Sequence, residues 1–442
     1  MRYDSDQHIE TAESCTSPAN TETVTDNLQL SRRSVLKASG MTGAVGLSGL
    51  SGCTLIGGGG SSGDTITIGA TLPLTGQFSS LAEDMEEGYR IGVQLLNENG
   101  GIDGQEAKLI ISDDESDPEV VRQKLQQITS NNDVDMLWGS FSSLLVTAGS
   151  AYAEQNGIPF LGIAFSYMQP HMESNYEWTF IPFPKSRDHA RSTVGILDTL
   201  PEDTRPSRVG IWEPNSGWGT EMADEWETRL SDAGYDIAQR DKFSLGSRDF
   251  SSLIYQADSA GVEVLLSNPT PPGAITAMNQ MEQNGYAPKA IYFPRGPSPD
   301  AFWSSLSDTA ESVLLGPGWV PGSTTNESDK MQNLYDENYE RPDNGLLPVI
   351  VGSSFNLVQV ADQALRNADS TDPSAIQESL RSTSFDTVVG SFSFDEYGMP
   401  ADGELTSQLG QWWDGGRRLV YPETESENAM EFKYPLKPWD QR

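Results

Sequence analysis

The amino-acid sequence predicts an α/β protein built as two similar lobes. Patterns typical of strands and of helices alternate from about residue 64, and the alternation restarts near Lys185. Each run covers about 120 residues. Such regular alternation is typical of βαβ units, in which a parallel sheet is flanked by helices. The length of 442 residues gives each lobe enough residues to bury a core.

The first run begins with a strand at residues 65–72, where isoleucines alternate with polar residues. A turn containing proline and glycine follows at 73–76, and Ser79 or Ser80 can cap a helix that extends to residue 97. A pair of glycines predicts the end of that helix. The rest of this run is predicted to form strands at 107–112, 136–139 and 159–163 and helices at 118–130 and 142–156.

The second run and the tail of the chain follow the same periodicities. Predicted helices lie at 188–200, 220–233, 250–260 and 272–284, and predicted strands at 208–213, 235–243, 262–267 and 290–293. The tail adds a long helix at 349–366, a short helix at 373–381 and β-like segments near 388–394 and 405–412.

The charge of the chain disfavours some classes of partner. Asp and Glu number 64 against 28 Lys and Arg, which gives a net charge of −36. Because phosphate backbones and anionic membranes attract clustered basic residues, nucleic acid and an anionic membrane surface are disfavoured as partners. Only nine of the basic residues are lysines. Acidic excess with few lysines is typical of proteins that work in molar salt, where the Debye length is about 3 Å; the alternative is an ordinary acidic extracellular protein.

Residues 1–63 carry the features of an export address. Arg32 and Arg33, followed by Val-Leu-Lys, resemble a twin-arginine signal. The weakly apolar stretch 38–50 is shorter than the ~20 residues that span a bilayer. It leads into a segment that looks like a lipobox, with Cys53 as the lipid acceptor.

This order of features predicts a signal with an acidic extension at 1–52 and a lipid-anchored Gly/Ser tether at 53–63. We therefore expect an exported protein, lipid-anchored at Cys53 on the outer face of the cell membrane. The alternative is an isolated cysteine beside a flexible linker.

An ordered series of motifs runs from about residue 64 to the C-terminus and resembles the periplasmic leucine/isoleucine/valine-binding protein family, the substrate-binding proteins of ABC transporters. The motifs are ITIG at 66–69, PLTG at 73–76, MEEG at 85–88, NENGGIDG at 97–104, WGSFSS at 138–143, NSGWG at 215–219 and RDFS at 248–251.

The resemblance implies a type I periplasmic-binding fold. In that fold two α/β lobes, each a parallel sheet flanked by helices, are joined by a three-segment hinge, and the ligand lies in the cleft between them. The expected crossings fall near 182–186, 315–320 and 384–388. Lobe 1 is then predicted at 64–183 plus 317–385, and lobe 2 at 184–316 plus 386–442.

The family's pocket can be carried over to this chain position by position. Ser142 and Ser143 follow a predicted strand and begin a helix, where hydroxyl and N–H groups can hold a carboxylate; the alternative for Ser142 is a simple helix cap. The resemblance implies that Ala164, Phe165 and Ser166 contact the ligand through backbone groups and a hydroxyl. Phe165 is bulkier than the residue usual there and is expected to reshape the pocket.

Other pocket positions come from both predicted lobes. Trp218 stands where the family places an aromatic ring that closes over the ligand, and its alternative is a core tryptophan. Thr270 stands where leucine-type proteins place a second aromatic ring, so that wall is missing. Phe78 and Leu81 are expected to line the apolar end.

Arg295 is the most informative departure from the family, because an acidic residue is expected near this position to pair with the ammonium of an amino acid. An arginine there would leave that ammonium without a partner. We therefore expect a carboxylate-rich, amide or aromatic-acid ligand, since the planar guanidinium binds carboxylates bidentately. The alternative is a surface arginine.

The sequence contains little that predicts catalysis. It has no nucleophile elbow, phosphate-binding loop or zinc-protease motif, and its only cysteines, Cys15 and Cys53, precede the body. His171 and His189 are too widely separated for a His-rich metal site. We expect no enzymatic activity, no metal and no cofactor.

The resemblance implies an extracellular solute-binding lipoprotein of an ABC importer of the branched-chain amino acid type. It would capture a small amino-acid-like, amide or carboxylate ligand between two closing lobes and deliver it to the permease. Its partners would be the permease and ATPase subunits, and it would be a monomer. The alternative is a ligand-sensing receptor domain of the same fold.

Overall fold

The computed structural model describes residues 65–442, and its two large sheets correspond to the two predicted runs. The predicted signal with Arg32 and Arg33, the lipidation site Cys53 and the tether lie outside the described residues. None of the described helices combines the length and apolarity that crossing a membrane requires.

The first sheet has five parallel strands in the order β2-β1-β3-β4-β5. Its strands are β1 (Ile66–Leu72), β2 (Ala107–Asp113), β3 (Met136–Trp138), β4 (Phe160–Leu161) and β5 (Thr179–Phe180). Its helices are α1 (Ala82–Glu98), α2 (Pro118–Asn131), α3 (Ser142–Asn156) and α4 (Gln169–Ser174). Met136–Trp138 and Phe160–Leu161 are buried, as expected for strands covered by helices on both faces.

The second sheet has seven strands in the order β14-β13-β10-β9-β8-β6-β7. Its strands are β6 (Arg208–Pro214), β7 (Asp236–Phe243), β8 (Val264–Ser267), β9 (Ala290–Tyr292), β10 (Leu314–Gly318), β13 (Gln408–Trp413) and β14 (Gly416–Tyr421). Its helices are α5 (Ser186–Asp198), α6 (Gly217–Asp232), α7 (Ser251–Ser259), α8 (Pro271–Asn284) and α9 (Ala301–Leu306). Strands β6 to β10 are parallel, and β13 and β14 are antiparallel additions at one edge.

Later segments return to the first sheet. These are α10 (Ser328–Asn338), α11 (Val349–Asn367), α12 (Pro373–Ser382) and the hairpin of β11 (Ser384–Thr387) with β12 (Gly390–Ser393). Helices α10 and α11 both pack against α1, and β11 packs against α11. The predicted α/β class, with two parallel sheets flanked by helices, is confirmed.

Within the described residues the chain passes between the two sheets three times. The first passage lies between β5 and α5 and the second between β10 and α10, close to the expected positions. The third differs from the expected 384–388, because the ring of Phe394 still packs 5.3 Å from that of Phe180 in the first lobe. The N–H of Ile181 also donates to the carbonyl of Gly398. We therefore propose that lobe 1 continues to about residue 400.

One prediction for local structure was wrong, and several elements were not predicted, β10 among them. Helix α1 has no side-chain cap from Ser79 or Ser80, because both residues lie in a short 3₁₀ turn that precedes it. Strand β10 was not predicted, because Gly316-Pro317-Gly318 is typical of a turn. It lies between β9 and β13, and its proline occupies a position where the ladder to β13 is irregular.

Two glycines on α1 allow this helix to pack closely against α11. A Cβ at Gly88 would lie 2.5 Å from the carbonyl oxygen of Val351 and 2.6 Å from the Cβ of Ser354, both on α11. One turn later, a Cβ at Gly92 would lie 2.7 Å from the Cβ of Val358. The lobe therefore depends on the absence of side chains along this line of α1.

We predict that Gly88→Ala lowers the free energy of unfolding by about 1–3 kcal/mol, because α11 must move away. This loss outweighs the ~1 kcal/mol by which alanine favours a helix. The measurement is chemical denaturation. Gly246→Ala is the control, because nothing lies within 4 Å of a Cβ at that position. A Gly88→Ala variant as stable as the parent would contradict the packing argument.

Candidate ligand-binding site

A cavity lies where the carboxyl ends of strands from both sheets meet. It is lined by Phe141, Ser143, Ala164, Ser166, Phe183, His189, Trp218, Asn268, Pro294, Arg295, Ser298, Gly316, Pro317 and Ile350. Ser143 follows β3, Ala164 follows β4 and Trp218 follows β6, so the lining comes largely from loops after strands. This is where ligands bind in open parallel sheets.

The N-terminus of α3 forms one wall. Its cap residue is Phe141, which supplies no side-chain cap, and Ser142 is the first helical residue. The alternative that Ser142 is a simple helix cap is therefore wrong. Its φ of 76° lies in the left-handed region, which is strained for a residue with a side chain. Its Oγ is buried and bonds to no described group, while the neighbouring Ser143 lines the cavity.

The loop after β4 contributes alternate residues to the cavity. Ala164, with a φ of 55°, and Ser166 line it. Phe165 is fully buried on the other side, with its ring 5.3 Å from His171 and beneath the Nζ of Lys185 at 5.1 Å. The expectation that Phe165 reshapes the pocket is corrected, because its ring points into the protein rather than into the cavity.

His189, on α5, provides a neutral polar part of the wall. Its Nε2 lies 3.1 Å from the Oγ of Ser166, and its Nδ1 lies 2.9 Å from both the Tyr292 hydroxyl and the Ser407 Oγ. Burial lowers the pKa of His189 to about 3. The imidazole therefore has no charge at neutral pH, and both of its nitrogens are already paired with hydroxyl groups of the protein.

Arg295 and Trp218 form a platform on the second lobe. The guanidinium carbon of Arg295 lies 5.0 Å from the centre of the Trp218 ring, and Nη2 donates to the carbonyl of Asn268 at 3.3 Å. The Nε of Arg295 is sealed from solvent without a hydrogen-bond partner. Burial lowers the pKa of Arg295 to about 10, so the side chain stays charged at neutral pH. Neither the surface alternative for Arg295 nor the core alternative for Trp218 agrees with this arrangement.

Besides Ser142 and Phe165, three more predicted pocket residues lie away from the cavity lining. Thr270 caps α8 and accepts a hydrogen bond from the N–H of Gly273. Phe78 is buried with its ring 5.7 Å from that of Phe141, and Leu81 is fully buried in the core. Both were predicted from a loop that instead forms a 3₁₀ turn folded into the lobe.

Asn268 and His189 are the cavity residues that sequence reasoning most clearly missed. Asn268 directly follows β8, a position that the rule for parallel sheets could have identified. It is 7% exposed, and its Oδ1 bonds to no described group. His189 lies inside a predicted helix, where nothing in the sequence separates it from a core residue.

Comparison with known proteins identifies the family. A family model described as periplasmic binding protein matches residues 65–410. The chain belongs to this family. It is 26% identical over 375 residues to Leu/Ile/Val-binding protein homolog 7 of Brucella abortus, across 81% of this chain and 92% of the relative. It is 24% identical over 382 residues to homolog 8 of Brucella melitensis, across 83% and 93%.

Solved structures of periplasmic binding proteins share the fold. A leucine-binding protein from Thermotoga maritima matches with a TM-score of 0.68 and 18% identity, covering 80% of this chain and 97% of that one. A branched-chain amino acid transporter substrate-binding protein from Streptococcus pneumoniae, in complex with isoleucine, matches with a TM-score of 0.67 and 16% identity, covering 84% and 100%. The predicted family resemblance and the two-lobed type I fold are confirmed.

In this periplasmic binding protein Glu221 connects the two lobes beside the cavity. From α6 in the second lobe, its carboxylate accepts the N–H groups of Met168 and Gln169, at the start of α4 in the first lobe, at 2.8 and 2.9 Å. It also accepts the hydroxyl of Ser186 at 2.8 Å. Two of these three donors lie in the first lobe, so the half-buried carboxylate makes a bidentate polar contact between the lobes.

Lys185 lies in the first crossing and is fully buried. Its Nζ donates to the carbonyl of Phe165 at 2.8 Å and to Nε2 of His171 at 3.2 Å. The Nδ1 of His171 lies 2.9 Å from the carbonyl of Tyr397, which can only accept, so Nδ1 carries the proton. These hydrogen bonds thus connect the first crossing, at Lys185, with the segment around Tyr397 that precedes the third crossing. Burial lowers the pKa of Lys185 to about 7.

We predict a pH dependence of stability from Lys185. Above pH 7 the native state has lost a proton that the unfolded chain keeps up to about pH 10.4, so stability rises with pH across this window. The free energy of unfolding of the parent, relative to Lys185→Met, should therefore rise by roughly 1–2 kcal/mol between pH 7 and 9.

The measurement is chemical denaturation at both pH values in the same salt. Lys108→Met is the control, because Lys108 is an exposed lysine on the surface of the first lobe and its removal should leave the profile parallel to that of the parent. Parallel profiles for the parent and Lys185→Met would contradict the prediction.

Proposed function

We propose that this chain is the extracellular solute-binding component of an ABC importer of the branched-chain amino acid type. It captures a small amino-acid-like, amide or carboxylate ligand between its lobes and delivers it to the permease. The observation that carries this proposal is the convergence of polar groups from both lobes on one cavity, two of them without a hydrogen-bond partner among the described residues. The Oδ1 of Asn268 and the Nε of Arg295, on the second lobe, bond to no described group, and Ser143 and Ser166 line the same cavity from the first lobe.

The names of the relatives support the transport role, because those proteins are described as Leu/Ile/Val-binding proteins and transporter components. The proposal includes export through the Arg32-Arg33 signal and anchoring at Cys53 on the outer face of the membrane. It also includes a monomeric state and work at high salt, in line with the acidic composition. The protein itself needs no catalysis, since the permease and ATPase move the solute.

Closure of the lobes is the expected working motion. A ligand that touches both walls stabilises the closed arrangement by its differential contacts. Glu221 makes hydrogen bonds across the same boundary, so its contribution adds to that of the ligand. Ligand affinity therefore depends on groups that never touch the ligand.

We predict that Glu221→Gln weakens solute binding about tenfold, because one carboxylate oxygen becomes an amide that cannot accept from the α4 N–H groups. A thermal-shift screen of amino acids, amides, urea and organic acids in molar salt selects the solutes for titration. Glu225→Gln, one turn further on α6 and paired with Arg229, is the control. Equal affinities of the parent and Glu221→Gln would contradict a role in closure.

Small-angle scattering tests the function itself. The parent should become more compact with a saturating solute from the screen, and the ligand-loaded full-length protein should co-purify with a permease. Absence of compaction with every solute that binds would overturn the capture mechanism. Co-purification with a membrane kinase or methyl-accepting protein instead of a permease would overturn the transport role and indicate sensing.

A further inference from the structure

The charges around the cavity point to the chemical class of the ligand. Among the fourteen lining residues, Arg295 is the only one charged at neutral pH, and none is acidic. His189 is neutral there, because burial lowers its pKa to about 3. The remaining polar side chains are Ser143, Ser166, Asn268 and Ser298, which are uncharged.

Arg295 has no anionic partner within residues 65–442. It forms no ion pair with a described carboxylate, although twenty ion pairs occur elsewhere in this range. Its protein contacts are the Trp218 ring and a single long hydrogen bond to a backbone carbonyl. The side chain is half-buried and its Nε is sealed from solvent, and a partly desolvated guanidinium without an ionic partner calls for an anion.

The wall of the cavity opposite Arg295, formed by the first lobe, also has a positive electrostatic potential. The α3 N-terminus brings unpaired backbone N–H groups and the positive end of a 15-residue helix. Asn268, 7% exposed and with a side-chain oxygen that bonds to no described group, shows independently that this space is built for a ligand, and the NH2 group of the same amide can donate to a carboxylate. An ammonium group placed between these walls would meet positive charge and no carboxylate to balance it.

We propose that the solute carries a carboxylate and no ammonium group, with the carboxylate bound by Arg295 on its Trp218 platform. This inference rests on the proposed solute-binding function and narrows its ligand class. A 2-oxo acid is the simplest compound of this kind, because it replaces the ammonium of an amino acid with an oxo group that accepts a hydrogen bond donated by an arginine. A zwitterionic amino acid of the same skeleton is disfavoured.

The test compares matched pairs that differ only at the second carbon. Full-length protein in molar potassium chloride is titrated calorimetrically with leucine and 4-methyl-2-oxopentanoate, phenylalanine and phenylpyruvate, and glutamate and 2-oxoglutarate. In at least one pair the oxo acid should bind, and it should bind at least about tenfold tighter than its amino acid. Tighter binding of the amino acid in any pair, or binding of none of the six compounds, would overturn the proposal.

Variants at residue 295 distinguish a direct role of the arginine in binding from a general disturbance of the cleft. Arg295→Gln should weaken oxo-acid binding at least about tenfold, and Arg295→Lys should restore part of it, because the charge returns without the planar fork. Arg122→Gln, on the outer surface of α2 and paired with Glu119, is the control. Oxo-acid affinity that is unchanged in Arg295→Gln would overturn the role of Arg295.

The outcomes also separate this inference from the proposed function. An amino acid that binds and compacts the protein while the oxo acids fail would overturn the ligand class and leave solute capture intact. Failure of all six compounds, together with failure of every solute in the wider screen, would overturn both.

Discussion

The parallel alignment of the strands is the constraint on which the rest of the structure depends. Parallel strands deliver every following loop and helix N-terminus to the same edge of their sheet. Because the two sheets meet at these edges, β3, β4, β6, β8 and β9 all contribute to one cavity. Residues far apart in the chain, such as Ser143 and Arg295, therefore line the same cavity. The helices and strands that carry them need not touch one another.

The electric field of the surface charges and the field of the charged group in the cavity extend over different distances. At molar salt the Debye length is about 3 Å, so the field of the −36 net charge ends close to the surface. A charge screened from solvent is affected much less. For the proposed work at high salt, selectivity is then expected from groups such as Arg295, whose Nε is sealed from solvent. The surface charges keep the protein soluble, and the interaction between Arg295 and a ligand is weakened little by salt.

Much of the fold could be predicted because strands and helices alternate with clear periodicity, whereas the details that failed are set by tertiary packing. Strand β10 resembles a turn in sequence, and only its neighbours β9 and β13 hold Gly316-Pro317-Gly318 extended. Phe165 and Ser166 are adjacent in sequence, yet only Ser166 reaches the cavity. Which of two consecutive loop residues points inward is decided by local backbone angles, such as the φ of 55° at Ala164, and these leave no trace in composition.

The Trp218–Arg295 platform has a consequence for the order of binding events. Both residues, together with Asn268, follow strands of the second sheet, so the charged part of the recognition surface is complete before the lobes meet. A solute can be received by the second lobe alone, and the first lobe then adds Ser143 and the α3 terminus. Under the proposed function, the second lobe would set the rate of capture, and the first lobe, with the Glu221 contact, would set how long the solute is held.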